Sequence, residues 1–589
     1  MTPSSLAGAA LTPHPGRRID EIVARRAEER PHLTAVRCGD ETVSYRELVD
    51  RADRIAATLT AAGIGPSDVV AVQLPRDIDM VCVVLGVLRA GAIYTLMPLD
   101  WPVDRRRDVL ARTGSRLCVT RPDDRFDAAT PMTSPRLLHA APLDALPRAD
   151  GHELGDLRDA CCVFFTSGST GQPKSAVAPH LGVIRVVFDP VLRFDRETVM
   201  LQAHSPAWDT FALELWGPLL HGGVTVLSES TYFSHDDLRA AVRLGVNTVF
   251  LTPTVFDDAV TGEPDCLAGL DTVVLGGERV SPAHLKAYLD RYPGATVFNI
   301  YGPVEATICV TVHHVTPDDD FGRDLPVGRP VPATSVHVVD ASLVPVASGE
   351  VGEIVVAGDG IALGYLGDPA ETATRFAVAP LGEHGADVRV YRTGDYGRID
   401  AHGRLCFEGR RDRQVKILGL RVEPREVELA AMALDGVTSA LAVPVPPEAP
   451  DMLGLVYTAP DGTGPEVVRQ AVGAALPGPF VPKVIRRVDT LPRNANGKAD
   501  LPAVAALLST VAERAPVRVT PLTTVLAELT KLTGREATED SDVIDLGLTS
   551  ITALKLIGRI NAVHGVRVPM RVVFRGRTPA AVAEWIAGR

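Results

Sequence analysis

Three apolar runs, Thr248–Pro253 (TVFLTP), Thr272–Gly277 (TVVLGG) and Thr296–Gly302 (TVFNIYG), each read as a short strand closing on a Gly/Pro turn. A short apolar run without alternation is a strand buried on both faces, which a parallel sheet covered by helices requires. Helical patterns lie between such runs. Leu48, Ala52, Ile55 and Leu59 recur at helical spacing ahead of the buried run Val69–Leu74. From about Ile19 to Arg410 this alternation predicts α/β layers with largely parallel sheets. Met80–Tyr94 (MVCVVLGVLRAGAIY) is interrupted by Arg89 and too short to cross a bilayer, so it reads as a buried helix. Between Ser335 and Gly358 the spacing shortens into SVHVVD and GEIVVAG, a small β-rich subdomain.

The character changes near Gly409. The stretch GRRDRQVKILGLRVEPREVE is dense in charge, and a short α/β unit follows it to about LPRNANGKADLP. Then AVAALLSTVAERAPVRVTP reads as a helical tail passing into a Pro-containing linker. The last segment, about Pro521–Arg589, reads as helical throughout. A chain of 589 residues is too long for one core. The expected units are an α/β core of layered sheets with its β subdomain at residues 16–410, a small α+β subdomain at 411–504, a linker at 505–520 and an all-α bundle at 521–589.

A formal charge of −13, with no basic tract, argues against nucleic acid as the main partner. The eight cysteines are scattered, and only Cys161 and Cys162 are adjacent. Without a CxxC pair, neither a zinc site nor a disulfide framework is indicated, and a reducing, cytoplasmic setting fits. MTPSSLAGAALTPHPGRRID places small apolar residues ahead of its arginines, the reverse of a signal peptide.

Thr166–Ser175 (TSGSTGQPKS) comes within one residue of the phosphate loop of Walker-type NTPases, with Pro173 where the last glycine would stand. Glycines let backbone N–H groups approach phosphate, hydroxyls donate to its oxygens, and Lys174 adds a point charge. In a Walker loop, however, the lysine opens a helix. Pro173 lacks an N–H and biases Gln172 away from helix. A hairpin-type loop after the apolar strand Cys161–Thr166 is therefore predicted, and taken alone such a segment is equally a surface linker.

TSGSTGQPKS resembles the phosphate loop of the adenylate-forming enzymes, a superfamily of acyl-CoA ligases, luciferases and nonribosomal peptide synthetase adenylation domains. Further matches follow in order: VSYREL (Val43–Leu48), LRAGAIY (Leu88–Tyr94), NIYGPVEATI (Asn299–Ile308), YRTGD (Tyr391–Asp395), the hinge-like GRRDRQVKILGLRVEPREVE, and NGKAD (Asn496–Asp500). They span most of Ile19–Pro502. Ser175, Val304 and Leu418 depart from the pattern, which has glycine, threonine and arginine there.

The resemblance implies that a carboxylate attacks the α-phosphorus of ATP, and that the acyl-adenylate then passes to a thiol. Thr166, Ser167, Gly168, Ser169, Thr170, Gly171 and Lys174 would hold the β- and γ-phosphates. Glu305 is the implied Mg²⁺ ligand, although GPVEA also permits an ordinary turn carboxylate. Asp395 would accept hydrogen bonds from the ribose with Arg410 assisting, against a plain turn aspartate in TGD. Gly276, Gly277, Glu278, Asn299, Ile300 and Tyr301 would line the adenine and substrate floor. Lys498 would bridge the carboxylate and the α-phosphate; alone, it would be a solvated turn lysine. Asp412 would be the hinge of the small subdomain, as charge in a solvated connector would also explain.

Asp209 lies in HSPAWDTFALELWGPLLHGG, where amino-acid-activating members place an aspartate against the substrate α-ammonium; an N-cap for the following helix is the alternative. With it, Trp208, Thr210, Leu213, Phe250, Val274, Gly276, Ile300, Ile308 and Cys309 form the implied substrate residues. None of the side-chain pocket residues is charged, which favours a hydrophobic amino acid. DLGLTSITALKLIGRI (Asp545–Ile560) resembles the carrier-protein element around a phosphopantetheine serine, making Ser550 the attachment site, with helix capping by Ser550 or Thr549 as the alternative. Ile551, Leu554, Leu556, Ile557 and Ile560 supply an apolar stripe behind it, and Glu536, Glu539, Asp540, Asp542 and Asp545 an acidic edge.

The implied whole is an adenylation–carrier didomain using ATP, Mg²⁺ and 4'-phosphopantetheine. Its implied partners are a phosphopantetheinyl transferase and a condensation or tailoring enzyme acting in trans, with room for an MbtH-like helper protein. The rival readings are a CoA ligase with a helical tail and an ATP-binding scaffold without catalysis.

Overall fold

The computed structural model describes the chain except residues 1–3, 12–15, 100, 122–129, 133–137, 143–158, 167–172, 230–233, 411–413, 418–419, 446–451, 460–462, 493–499, 510–520, 534, 549–551, 554–555, 558, 561–565, 567 and 588–589. The three opening runs are adjacent parallel strands, Thr248–Leu251, Thr272–Gly276 and Thr296–Tyr301, with Thr248, Thr272 and Thr296 in register. They sit in a sheet of nine described strands that continues through Val199–Gln202, Val224–Leu227 and Thr34–Cys38 in parallel and closes with antiparallel edges. Their carboxyl ends face one crevice, the place where open α/β sheets bind ligands.

A second sheet holds Val69–Gln73, Ile93–Leu96 and Ala160–Thr166 in parallel. One continuous apolar cluster joins strands of both sheets to the helices Tyr45–Ala61, Ile78–Arg89 and Thr210–His221. Ser44 starts the first of these helices, its side chain accepting the Glu47 amide while Glu47 returns a bond to the Ser44 amide. Ala160–Thr166 turns back antiparallel to Lys174–Pro179 with Lys174 opposite Thr166, so the flanks of the loop form the hairpin expected from Pro173.

Two expectations are revised. Met80–Tyr94 is not one helix: the helix stops at Arg89, Gly91 takes a φ of 78°, and Ile93–Leu96 is a strand. Arg89 marks that end, with its cation in the last turn where carbonyls point outward. The last segment is not helical throughout either. Between the helices Pro521–Thr533 and Met570–Gly576, residues 535–548 run through turns, where Asp542 accepts the amides of Ile544 and Asp545 and Gly547 takes a φ of 85°. Leu556, Ile557 and Ile560 are buried in this unit with Val525, Leu529 and Ile586; Ile551 and Leu554 lie outside the described residues.

The β subdomain centres on Thr334–Val339, Gly352–Gly358 and Val388–Ile399. The small subdomain has a hairpin, Val415–Ile417 with Leu420–Val422, then the helix Pro424–Met432 and a three-stranded sheet. The helix Leu501–Ser509 runs past residue 504, where the linker was expected, and buries Ala505 and Leu508 against Leu441 and Val456 of that sheet. Core and small subdomain are joined by Arg105–Glu426, an ion pair of 2.7 Å with side chains 6% and 0% exposed. No described helix is long and apolar enough to cross a membrane. All eight cysteines carry free thiols.

Candidate active site

The crevice at the strand ends collects the expected substrate residues. Phe250, Val274 and Ile300 come from the three strands, Leu213 from the facing helix, and Ile308 and Cys309 from the turn after Tyr301; all six share one buried cluster. Thr210 opens that helix, and Gly276 ends its strand where a Cβ would stand 2.8 Å from Ile300. The segment before the helix is fixed by Glu214, a fully buried carboxylate that accepts the amides of Ala203 and His204 and the His204 ring at 2.7 Å.

Asp209 occupies the N-cap position of the helix without a side-chain cap bond. Its carboxylate instead accepts the Ile308 amide at 3.0 Å. Burial pushes its carboxyl up to about 7, with the Ile308 amide opposing. A buried carboxylate at an apolar pocket, met by backbone amides rather than by a direct ion pair, is suited to a cationic guest.

Around the hairpin flank lie the anion-handling groups. Thr166 Oγ1 is 3.4 Å from Glu305 Oε1, the Tyr365 hydroxyl donates to the same oxygen at 2.8 Å, and Arg421 pairs with Oε2 at 3.0 Å. Burial pushes the Glu305 carboxyl up, but the Arg421 guanidinium and the Tyr365 hydroxyl outweigh it and hold the group below its usual range. Glu305 is therefore an anionic oxygen donor, with a hydroxyl beside it, of the kind a hard cation such as Mg²⁺ takes. Lys174 pairs with Glu371 and lies 5.4 Å over the Tyr365 ring. Asp395 accepts from the Tyr301 hydroxyl at 2.6 Å and pairs with Arg410 on the neighbouring strand. Gly277 follows Gly276 with a φ of 90°, and Glu278 accepts from Thr254 at 2.6 Å. Asn299, buried on its strand, donates to the Pro326 carbonyl at 3.1 Å, which ties the strand to the loop ahead of Arg329.

Ser167, Gly168, Ser169, Thr170, Gly171, Asp412, Lys498 and Ser550 lie outside the described residues. Trp208 lies apart from the apolar pocket, lining a cavity with Trp101, Phe165, Arg421 and Phe480 between core and small subdomain. Lys416 and Arg421 were missed by motif reading. They are opposite each other in the small hairpin, which delivers Lys416 to 6.0 Å over the Tyr301 ring and Arg421 to Glu305. Like charges so paired repel each other, and the facing carboxylates Asp395 and Glu305 offset this. The alternation of cations in QVKILGLRVE was the available signal.

The AMP-binding enzyme family matches residues 23–366, and the phosphopantetheine attachment site family matches residues 520–586. The phosphinothricin tripeptide synthetase PhsC of Streptomyces viridochromogenes is 34% identical over 99% of this chain and 54% of its own length. The novobiocin biosynthesis protein H of Streptomyces niveus is 33% identical over 94% of this chain and 93% of its own. The chain thus spans about half of PhsC and smaller shares of several other relatives, such as 11% of malpibaldin synthetase from Mortierella alpina. Among solved structures, holo-PA1221, an NRPS protein containing adenylation and PCP domains bound to a vinylsulfonamide inhibitor, superposes with a TM-score of 0.81 at 27% identity, covering 98% of this chain and 97% of that one.

Proposed function

The chain belongs to the AMP-binding enzyme family, with a phosphopantetheine attachment domain behind the enzyme domain, and from that premise we propose that it activates a hydrophobic α-amino acid with ATP and loads it onto its own carrier at Ser550. The observation that carries the amino-acid reading is Asp209: a buried carboxylate beside a pocket of uncharged side chains. An acid lacking the ammonium would leave that carboxylate unpaired and forgo the buried ion pair that favours an amino acid.

In the first half-reaction the substrate carboxylate oxygen attacks the α-phosphorus and pyrophosphate leaves. Asp209 orients the substrate by its ammonium. Asp395, steadied by Tyr301 and Arg410, takes the ribose hydroxyls. Lys174, Thr166 and the loop 167–171 hold the outer phosphates, and Lys498 neutralises charge on the α-phosphate. Glu305 is the residue for Mg²⁺, which when bound supplies positive charge to the phosphate oxygens. In the second half-reaction pantetheine, when attached at Ser550, would supply the thiol that takes the acyl group from AMP. The small subdomain turns about Asp412 between the two steps, and the cavity beside Trp208 admits the arm. The AMP-binding and attachment-site matches support ATP with Mg²⁺ and 4'-phosphopantetheine as the cofactors. They equally support a phosphopantetheinyl transferase and a downstream condensation or tailoring enzyme as partners; an MbtH-like helper rests on the resemblance alone.

The test is amino-acid-dependent exchange of pyrophosphate into ATP over the proteinogenic amino acids, followed by intact mass of the pantetheinylated chain. Exchange with apolar amino acids and an aminoacyl mass gain abolished by Ser550→Ala are expected. No exchange with any amino acid overturns the amino-acid reading, and mass gain by Ser550→Ala overturns the carrier assignment. Release of free acyl-CoA would favour the CoA-ligase reading.

A further inference from the structure

The turn after Tyr301 carries Glu305, the Ile308 amide that meets Asp209, and the pocket residues Ile308 and Cys309. Its backbone is strained. Thr307 has a φ of 52° and Ile308 a φ of 70°, and both are β-branched residues, for which the left-handed region is a true outlier. Such a conformation persists only where its surroundings over-determine it.

Behind the turn stands Arg185, on the helix His180–Val187, with no exposed surface. Its guanidinium donates to the Ala306 carbonyl, to the Thr307 carbonyl at 3.4 Å and to Thr334 Oγ1 at 2.9 Å. No described ion pair involves it, and burial pushes its pKa down to about 10. Asp359 and Asp189 favour its charge without pairing directly, and a fully buried cation held mainly by carbonyls is costly, so its place needs a reason. Two glycines make room for the arrangement. A Cβ on Gly360 would overlap the guanidinium, and one on Gly182 would stand 2.7 Å from Thr307 Oγ1. Thr307 Oγ1 in turn donates to the Gly360 carbonyl at 2.9 Å.

We infer that Arg185 is a positioning residue for substrate binding: by gripping the carbonyls of Ala306 and Thr307 it holds the left-handed turn that aims the Ile308 amide at Asp209. This rests on the reading of Asp209 as the partner of the substrate ammonium. Arg185 has no surface open to the crevice. Its effect passes through the Ile308 amide, whereas Glu305 on the same turn is held separately by Arg421 and the Tyr365 hydroxyl, so it falls on the amino acid more than on ATP.

The experiment is steady-state pyrophosphate exchange by the full chain, with the proteinogenic amino acid that wild type turns over fastest as probe. Arg185→Met should raise the amino-acid KM about tenfold, the scale of a lost charge-assisted hydrogen bond, with the ATP KM changed less than about threefold. Arg185→Lys should fall between. Thr307→Gly in the Arg185→Met background should recover much of the loss, because glycine adopts the left-handed conformation without strain. A general packing role would move both KM values together and gain nothing from Thr307→Gly, and either result overturns the inference. Should Arg185→Met fail to fold, Gly360→Ala keeps the cation but pushes it off the carbonyls. It should give the same KM split, and wild-type KM values in that variant overturn the inference. Asp209→Asn separates the two readings. If it leaves the amino-acid KM unchanged while Arg185→Met raises it, the Asp209 reading fails. If Asp209→Asn raises it and Arg185→Met does not, only the role of Arg185 fails.

Discussion

Asp209 shows how one side chain ties recognition to pH. Burial holds its carboxyl at about 7, so in the empty protein it is mostly protonated below that pH and mostly charged above it. Only the charged form pairs with an ammonium. The kcat/KM for the amino acid in pyrophosphate exchange should therefore climb with pH up to about 7 and level off, while Asp209→Asn should lose the rise and fall about 100-fold, the order expected for a broken buried pair. A flat wild-type profile would exclude a buried carboxylate as the ammonium's partner. The stability sign is opposite. With a folded pKa above its unfolded value, the group binds its proton more tightly in the folded state, so its contribution to stability falls as pH rises from 3.8 toward 7. Asp209→Asn should accordingly raise the Tm at pH 8, as read by calorimetry. Asp209, Glu305 and Asp395 were legible because each sits in a short local signature. Arg185 was not, since its function lies in carbonyls 121 and 122 positions away in the chain, and an arginine in HLGVIRVV looks like any surface cation.

Elements were legible where periodicity and punctuation agreed. The strand Val69–Gln73, the helix Tyr45–Ala61 and the three parallel strands appear where their patterns place them. The run Met80–Tyr94 misled because apolar helix and apolar strand share a composition, and only the Arg–Ala–Gly sequence between them marks the break. That helix also contains a glycine whose role is invisible to periodicity. Gly86 is where the helices Tyr45–Ala61 and Ile78–Arg89 cross, and a Cβ there would stand 2.6 Å from Ile55 Cγ2 and 3.0 Å from the Ala52 carbonyl oxygen. The backbone atom cannot rotate away. Gly86→Leu should thus cost about 2 kcal/mol through overpacking and lower the Tm, and a Tm equal to wild type would show that the crossing tolerates a side chain.

At the scale of the whole molecule, the order of the units was legible and their seating was not. Seating depends on pairs such as Arg105 with Glu426, 321 positions apart, which no local pattern encodes. The carrier unit is seated on the small subdomain by a contact of this kind. Lys483 donates to the carbonyl of Gly547, three positions ahead of Ser550, and Gly547 is in the left-handed region where its lack of a side chain lets the amine approach. Arg535 of the carrier reaches Glu466 at 3.5 Å, and Glu466 also pairs with Arg469 at 3.2 Å, so Arg469 and Lys483 meet the edge that holds Asp542 and Asp545. Lys483 belongs to the small subdomain and touches no described group assigned to ATP or to the amino acid. Its removal should therefore separate the half-reactions. Lys483→Met should keep pyrophosphate exchange within about twofold of wild type while slowing aminoacyl loading of the pantetheinylated carrier about tenfold, as loss of a partly buried charged hydrogen bond implies. Quenched-flow intact mass gives the loading rate. Loading at the wild-type rate would mean that the carrier reaches the acyl-adenylate in a pose that does not use this contact, and slowed exchange would mean that Lys483 serves the first step as well.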